Sequence, residues 1–150
     1  MEFNISYTDK IRVFNGKDLF LYADIKNRIK LHLRFYKGDT FLLETDFFGF
    51  LVFKSVKIKS QSLLYPITSI KQQGVFGFEM RYADHVINTT LRPFRQPSYI
   101  LFLDDNKVGE IYDPRGITVG RKYVMKTEVD DQTVNLYLLF IFLTQLSPLP

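Results

Sequence analysis

Alternating apolar and polar side chains predict β strands along most of the chain. In residues 28–36 every second side chain is apolar and points to one face: Ile29, Leu31, Leu33 and Phe35. Segments with the same period of two recur from residue 19 to residue 129. Turn signals separate them, and the strongest is Asp-Asp-Asn-Lys at residues 104–107. The pattern therefore predicts a mainly β protein built from short antiparallel strands.

Three stretches are less regular. Residues 47–59 form a long apolar run, in which Gly49 indicates a bulge or bend. Residues 85–96 contain Pro93 and are followed by Pro97, and the two prolines predict an edge strand or a loop. Residues 113–116 (Asp-Pro-Arg-Gly) have the composition of a turn.

The C-terminal segment differs from the rest of the chain. Residues 134–146 read VNLYLLFIFLTQL, and on a helical wheel their apolar side chains cover every face. The acidic pair Asp130 and Asp131 favours a helix start there, because carboxylates accept hydrogen bonds from the free N–H groups of the first turn. Such a helix would be about 24 Å long, shorter than the ~30 Å core of a bilayer. We therefore expect it to be buried within the protein, and closing the sheet around it is one way to bury it. A second buried strand is the alternative, although the run exceeds the usual strand length.

The last third of the chain resembles a known family. In residues 98–146 a hairpin with Gly109 just after its turn leads into a further strand, which ends in acidic residues and passes directly into the apolar helix. This order resembles the tubby C-terminal-like superfamily, which includes tubby proteins, phospholipid scramblases and small bacterial proteins. The resemblance implies a closed antiparallel barrel of about twelve strands, threaded by the hydrophobic C-terminal helix. No lipid-contacting residue of the family matches a position here, so none is carried over.

Length and composition limit the protein class. The 150 residues fit a single domain, residues 1–150, because no linker or composition shift divides them. The absence of cysteine excludes a disulfide scaffold, a cysteine-based zinc site and a catalytic cysteine. The N-terminus lacks the basic and apolar regions of a signal peptide, so we expect a cytoplasmic protein without a transmembrane segment.

Motifs for catalysis, metals and cofactors are missing from the sequence. The two histidines, His32 and His85, fall on different predicted strands, and the basic neighbours of His32 disfavour a cation. A calcium-loop pattern that begins at Asp104 fails at its fifth and twelfth positions. Neither a Gly-x-Ser-x-Gly elbow nor a phosphate-binding glycine loop is present. We therefore predict a non-enzyme without a metal or a cofactor.

Charge gives the one functional hypothesis. Residues 1–75 hold 12 Lys and Arg against 7 Asp and Glu, and the second half is nearly balanced. Two predicted strands each carry basic residues on one face, and these are the candidate ligand-binding residues: Arg28, Lys30, Arg34, Lys57 and Lys59. On an outer face they would attract an anionic membrane surface, lipid headgroups or a phosphorylated partner. They would equally serve as an ordinary solvated face that protects strand edges.

Three function classes follow. The first is a non-catalytic binding or interaction module that uses the basic stripe, with a membrane surface or a protein as partner. Nucleic acid is disfavoured, since stacking aromatics do not share that face apart from Tyr36. The second is a hollow-barrel carrier of an apolar ligand, which requires an empty interior. The third is a hydrolase, which a concave site joining His85 or His32 to a carboxylate would support.

Overall fold

The computed structural model describes residues 1–27, 31–113 and 121–146. Within these ranges the chain forms twelve strands followed by one helix. The elements are β1 (Glu2–Tyr7), β2 (Lys10–Asn15), β3 (Asp18–Asn27), β4 (Leu31–Lys37), β5 (Thr40–Phe50), β6 (Phe53–Gln61), β7 (Ile67–Gln73), β8 (Gly77–Tyr82), β9 (His85–Leu91), β10 (Tyr99–Leu103), β11 (Asn106–Tyr112), β12 (Arg121–Thr127) and α1 (Gln132–Thr144).

The strands form a single antiparallel sheet. Its order is β6-β5-β4-β3-β2-β1-β12-β11-β10-β9-β8-β7, so β1 pairs with β12 and the edge strands are β6 and β7. Side chains alternate between a buried inner face and a polar outer face, as in β4, where Leu31, Leu33 and Phe35 are fully buried. The sheet curls into a nearly closed barrel, which confirms the predicted fold class.

Side-chain amides bridge the two edge strands of the barrel. The amide of Gln72 on β7 accepts from Lys54 N at 2.9 Å and donates to Val52 O at 2.7 Å. On β6, Gln61 Oε1 accepts from Ile67 N at 2.8 Å, and its Nε2 donates to Ile67 O at 2.9 Å. A primary amide presents the same donor and acceptor as a peptide group, so each glutamine replaces one rung of a β ladder. We call this the glutamine seam.

The helix α1 fills the barrel. Asp131 is its N-cap, and its carboxylate accepts hydrogen bonds from the backbone N–H groups of Thr133 and Val134. Aromatic rings of α1 meet rings on separate walls: Phe140 packs against Phe35 of β4, and Phe142 packs against both β10 and β12. Residues 137–144 are all buried. Both the helix and its predicted burial are therefore confirmed.

Two segments correct the sequence prediction. Residues 47–59 are not one bent strand, because β5 ends at Phe50 and β6 begins at Phe53, so the chain reverses at Leu51 and Val52 rather than at Gly49. Residues 85–91 are an interior strand, β9, paired on both sides. Pro93 lies beyond the end of that strand and does not interrupt it. The turn predicted at residues 113–116 falls largely outside the described residues.

Gly109 is required where three strands come close together. It lies opposite Leu101 at a bulge between β10 and β11 and opposite Thr127 of β12. A Cβ atom at this position would meet Lys126 O at 2.8 Å and a side-chain carbon of Thr127 at 3.0 Å. A glycine is therefore needed at position 109 because the neighbouring strand leaves no space for a side chain.

The two ends of the barrel differ. We call the end where α1 begins the base, and the end where α1 finishes the mouth. At the mouth Gln145 donates to Thr89 Oγ1 at 2.7 Å, close to the turn that joins β7 and β8. The strand registers place the β1–β2, β5–β6 and β7–β8 turns and the β9–β10 loop at the mouth. The β2–β3, β4–β5, β8–β9 and β10–β11 turns lie at the base.

Candidate functional site at the mouth of the barrel

The turn between β5 and β6 is an unusual surface of the described chain. Four consecutive large apolar side chains are exposed there, and we call them the apolar tip: Phe50, Leu51, Val52 and Phe53. Leu51 is the most exposed of them, at 81%. Large apolar side chains are normally drawn into the core, so a contiguous exposed group marks an interaction surface.

The backbone holds the apolar tip in a defined position. Phe50 pairs with Phe53 and Gly49 with Lys54, so the tip is a tight two-residue turn on a regular hairpin. The glutamine seam ties its C-terminal side to β7 through Val52 O and Lys54 N. At the first turn position Leu51 has φ +57°, a conformation that glycine and asparagine adopt more readily than leucine. A leucine is therefore present where local turn chemistry favours a small or polar residue.

Other exposed apolar residues lie at the same end. Val75 and Phe76 form the adjacent β7–β8 turn, and Phe94, which is 89% exposed, lies in the β9–β10 loop. Of the large apolar side chains exposed in the described chain, the mouth and its flank hold eight and the base holds Leu19, Leu64 and Tyr65. Within the described residues, the mouth and its flank therefore present most of the large apolar side chains that are exposed.

Cations outnumber acids around the mouth. Among described residues of the mouth turns and strand ends, the cationic residues are Lys10, Lys26, Lys54, Arg92, Arg95, Arg121 and Lys122. The acids there are Asp9 and Asp113. Hydrogen bonds from Thr8 and Arg12 hold the pKa of Asp9 below its usual range, so that carboxylate is charged at neutral pH.

A small hollow opens at the mouth beside the end of α1. Its volume is about 190 Å³, and Lys54 and Arg121 line it together with Asp113, Tyr99 and the C-terminal end of the helix. Burial raises the pKa of Tyr99 far above its usual value, so its phenol is neutral. The hollow combines two cations, one carboxylate and several apolar side chains.

The predicted basic stripe is only partly described. Arg28 and Lys30 lie outside the described residues. Arg34 projects from the outer face of β4, opposite Asp24 on β3 and Glu44 on β5. Its Nε lies 3.5 Å from Glu44 Oε2, and its guanidinium lies over the ring of Phe41 at 5.2 Å. The charge of Arg34 is therefore largely balanced by its neighbours.

The same outer face carries acids that the strand-by-strand prediction did not include. His32 contacts two carboxylates, with Nδ1 2.5 Å from Asp46 Oδ1 and Nε2 2.6 Å from Glu44 Oε2. The surroundings of His32 are thus acidic as well as basic, which corrects the expectation of a purely electropositive face. The alternation of Glu44 and Asp46 with buried residues of β5 is the signal that predicts these acids, once β5 is paired with β4.

Lys57 and Lys59 lie on the edge strand β6. Lys57 is opposite Asp46 in the register and has no ion pair within the described residues. Lys59 Nζ lies 3.8 Å from Asp46 Oδ2, at a bulge between β5 and β6. Both side chains are exposed. They follow Lys54 along β6, so this edge strand carries three lysines behind the apolar tip.

A second hollow lies at the base. It has a volume of about 350 Å³ and is lined by Tyr65, Tyr82, His85 and Asp131, among others. His85 Nδ1 lies 2.7 Å from Asp104 Oδ2, and hydrogen bonds from His85 and from Val86 N lower the pKa of Asp104. The contact joins a histidine to a carboxylate beside a concave surface. In the described chain no hydroxyl group hydrogen-bonds to His85.

The described residues hold neither a metal-ligand cluster nor a helix able to span a membrane. No group of three or more His, Asp or Glu side chains there is arranged to hold a metal ion. Over the same ranges, none of the helical segments has both the length and the apolar character needed to cross a bilayer.

Comparison with protein-family models, with curated proteins and with solved structures finds no match to this chain. The resemblance to the tubby C-terminal-like superfamily therefore stays a prediction, and function has to be argued from the site itself.

Proposed function

We propose that this protein is a non-catalytic binding module that docks on anionic membrane surfaces and contacts lipid headgroups through the lysines of β6. One observation carries the proposal: Lys54, Lys57 and Lys59 follow one another on an edge strand whose tip consists of exposed apolar residues. Lysines next to exposed apolar side chains are typical of proteins that bind the interface of anionic bilayers.

Because the charges on β3–β5 are largely balanced, we place the proposed membrane contact on β6 and not on the whole predicted basic stripe. Arg34 is held by Glu44, and Lys59 lies 3.8 Å from Asp46, so we assign each of them a smaller share of binding than Lys57. A lysine near an anionic membrane contributes about 1 kcal/mol, and this contribution decreases within the Debye length of ~8 Å at physiological salt. The contact is expected to weaken as salt rises.

The carrier alternative receives less support from the interior of the barrel. Leu138, Leu139 and Phe140 have no exposed surface and occupy the space that an apolar ligand would need. Small barrels filled by their own side chains leave no ligand chamber. We therefore do not favour a carrier function.

A hydrolase is the second candidate, and the contact between His85 and Asp104 beside the base hollow is the observation in its favour. A carboxylate that orients a histidine is one part of a nucleophile–base–acid arrangement. Hydrolysis of a panel of activated esters by the native chain and by His85→Gln tests this candidate. A histidine-dependent turnover would support it, and equal background rates would dismiss it.

The main proposal is tested by co-sedimentation with vesicles of phosphatidylcholine alone and of phosphatidylcholine mixed with phosphatidylglycerol. We expect binding to the anionic vesicles, and we expect Lys57→Gln/Lys59→Gln to weaken it by up to about thirtyfold, since at most about 1 kcal/mol for each lysine adds to about 2 kcal/mol. The matched control is Lys17→Gln/Lys126→Gln, which removes the same charge from the base side of the barrel.

The control separates local contact from net charge. If both double variants lose binding equally, the β6 lysines are not the contact and only overall charge matters. If the native chain does not sediment with anionic vesicles at low salt, the proposed function is wrong.

A further inference from the structure

We infer that the apolar tip inserts into the membrane, so that the barrel stands on its mouth with Phe50, Leu51 and Phe53 at the boundary between headgroups and acyl chains. This inference rests on the proposed function and adds to it the depth and orientation of binding. The apolar tip carries no charge, so the distribution of charged residues does not predict that it binds a membrane.

Geometry supports insertion of the tip alone. Only two residues, Leu51 and Val52, join β5 to β6, so the turn is narrow, and its side chains are exposed at the mouth. Interfacial elements place their apolar side chains about 5–10 Å into the boundary between headgroups and acyl chains. Four adjacent exposed apolar residues at a hairpin turn can reach that depth without burying any charged side chain, because the nearest lysine follows the tip.

The lysines are spaced to contact headgroups when the tip is inserted. Lys54 lies two residues and Lys57 five residues beyond Val52, which corresponds to about 7 Å and 17 Å along an extended strand. With the tip about 5–10 Å deep, Lys54 lies at the headgroups, and the long side chain of Lys57 reaches toward them. The apolar and cationic contacts can therefore form together.

Charge complementarity distinguishes a membrane from a second copy of the chain as the occupant. If two tips packed against one another, the Lys54 and Lys57 side chains of both copies would be brought close together, and like charges repel. The exposed Arg95 and the mouth cation Arg92 would add to this repulsion. An anionic bilayer instead offers apolar chains to the tip and opposite charge to the cations.

The chain contains no tryptophan, so a single introduced tryptophan reports its own surroundings. We choose Phe50→Trp at the tip and Leu64→Trp as the control, since Leu64 is 85% exposed in the β6–β7 loop at the base. On binding to anionic vesicles we expect the emission of Trp at position 50 to shift to the blue and to be quenched by brominated phosphatidylcholine. Emission from position 64 should not change.

Binding strength provides the second measurement. Phe50→Ser/Leu51→Ser removes two exposed apolar side chains, and we expect it to weaken vesicle binding at least about tenfold, while Leu64→Ser leaves binding unchanged. Circular dichroism should be unchanged in all variants, because the substituted side chains are exposed.

The outcomes are distinguishable from those of the proposed function. Salt-sensitive binding without any quenching at position 50 would overturn insertion and leave headgroup contact in place. Absence of binding to anionic vesicles would overturn both. A concentration-dependent dimer that Phe50→Ser/Leu51→Ser abolishes, with no vesicle binding, would assign the tip to a second copy of the chain instead.

Discussion

At the scale of single residues, Leu51 combines unfavourable local conformation with exposed apolar surface. Its φ of +57° is the left-handed conformation, which is unfavourable for residues with a branched side chain, and its side chain is among the most exposed in the described chain. Neither property stabilises the fold. A residue with an unfavourable backbone conformation and an apolar side chain in water is expected where the turn binds an apolar partner.

Leu51→Asn separates stability from binding. Asparagine tolerates the left-handed conformation, so we expect the free energy of unfolding to rise by about 0.5–1 kcal/mol. Vesicle binding should decrease in the same variant, because the apolar side chain is lost. Chemical denaturation and vesicle co-sedimentation provide the two readouts. A variant that is more stable and binds as well as the native chain would contradict a binding role for Leu51.

Buried tyrosines give a prediction for alkaline pH. Burial raises the pKa of Tyr82 to about 12 and raises the pKa of Tyr99 as well. Because the folded state favours the neutral phenol, its stabilising contribution is complete below the unfolded pKa of about 10 and is lost as pH rises through the folded pKa. We expect the free energy of unfolding to fall between about pH 10 and 12.

Spectroscopic titration of the phenols checks this sign. Of the nine tyrosines, the exposed ones should ionise first, and Tyr82→Phe should remove part of the late absorbance change. A single transition near the ordinary tyrosine pKa, with unchanged stability, would contradict the buried placement of Tyr82 and Tyr99.

At the scale of elements, the glutamine seam substitutes for the twelfth strand pairing, between β6 and β7, that would close the barrel. Gln72 and Gln61 each offer one donor and one acceptor to backbone groups across the β6–β7 gap. Gln96 makes the same type of contact with the backbone of Asp113 at the mouth. Side-chain amides thus satisfy backbone groups that an open sheet edge would leave to solvent.

Gln72→Ala removes two hydrogen bonds to the backbone near the apolar tip. At about 0.5–1.5 kcal/mol for each bond, we expect the free energy of unfolding to decrease by roughly 1–3 kcal/mol. Hydrogen exchange at the Lys54 amide should accelerate more than at strand amides far from the seam. The control is Gln132→Ala, an exposed position in the first turn of α1. Equal effects of the two changes would show that the seam contributes nothing specific.

The helix α1 is the central element of the core. Phe140 has no exposed surface and meets Phe35 across the barrel, so Phe140→Ala should lower the free energy of unfolding by about 3–5 kcal/mol. Thr133→Ala, at an exposed position of the same helix, serves as the control. Deleting residues 134–150 should give insoluble or unfolded protein. A folded truncation with unchanged circular dichroism would show that α1 is not part of the core.

At the scale of the whole molecule, the sequence predicts architecture better than it predicts surface. A period of two for the strands and an apolar segment without a polar face are local signals, and they suffice to predict a mainly β protein with a buried C-terminal helix. The closed barrel of about twelve strands is implied only by the resemblance to the tubby C-terminal-like superfamily. The mixture of acidic and basic residues on the outer face cannot be read from a single strand. The contact between Arg34 and Glu44 follows only from the register of β4 and β5. A prediction that considers each strand separately therefore overestimates the net positive charge of the basic stripe.

The apolar tip could not be predicted for a related reason. In residues 47–53 the apolar run is continuous, and a buried strand and an exposed hairpin turn have the same composition. Gly49 is the residue that suggests a break, yet the chain turns two residues later at Leu51 and Val52. Only the pairing of Phe50 with Phe53 places these side chains outside the core.

We propose that the mouth of the barrel binds anionic membranes, and equilibrium partitioning of the unmodified chain onto vesicles tests this most directly. We predict at least about tenfold stronger binding to vesicles containing phosphatidylglycerol than to phosphatidylcholine alone at low salt, with the preference reduced at about 0.5 M salt. Equal binding to both kinds of vesicle would show that the lysines do not contribute to binding. No binding to either lipid at low salt would contradict the account.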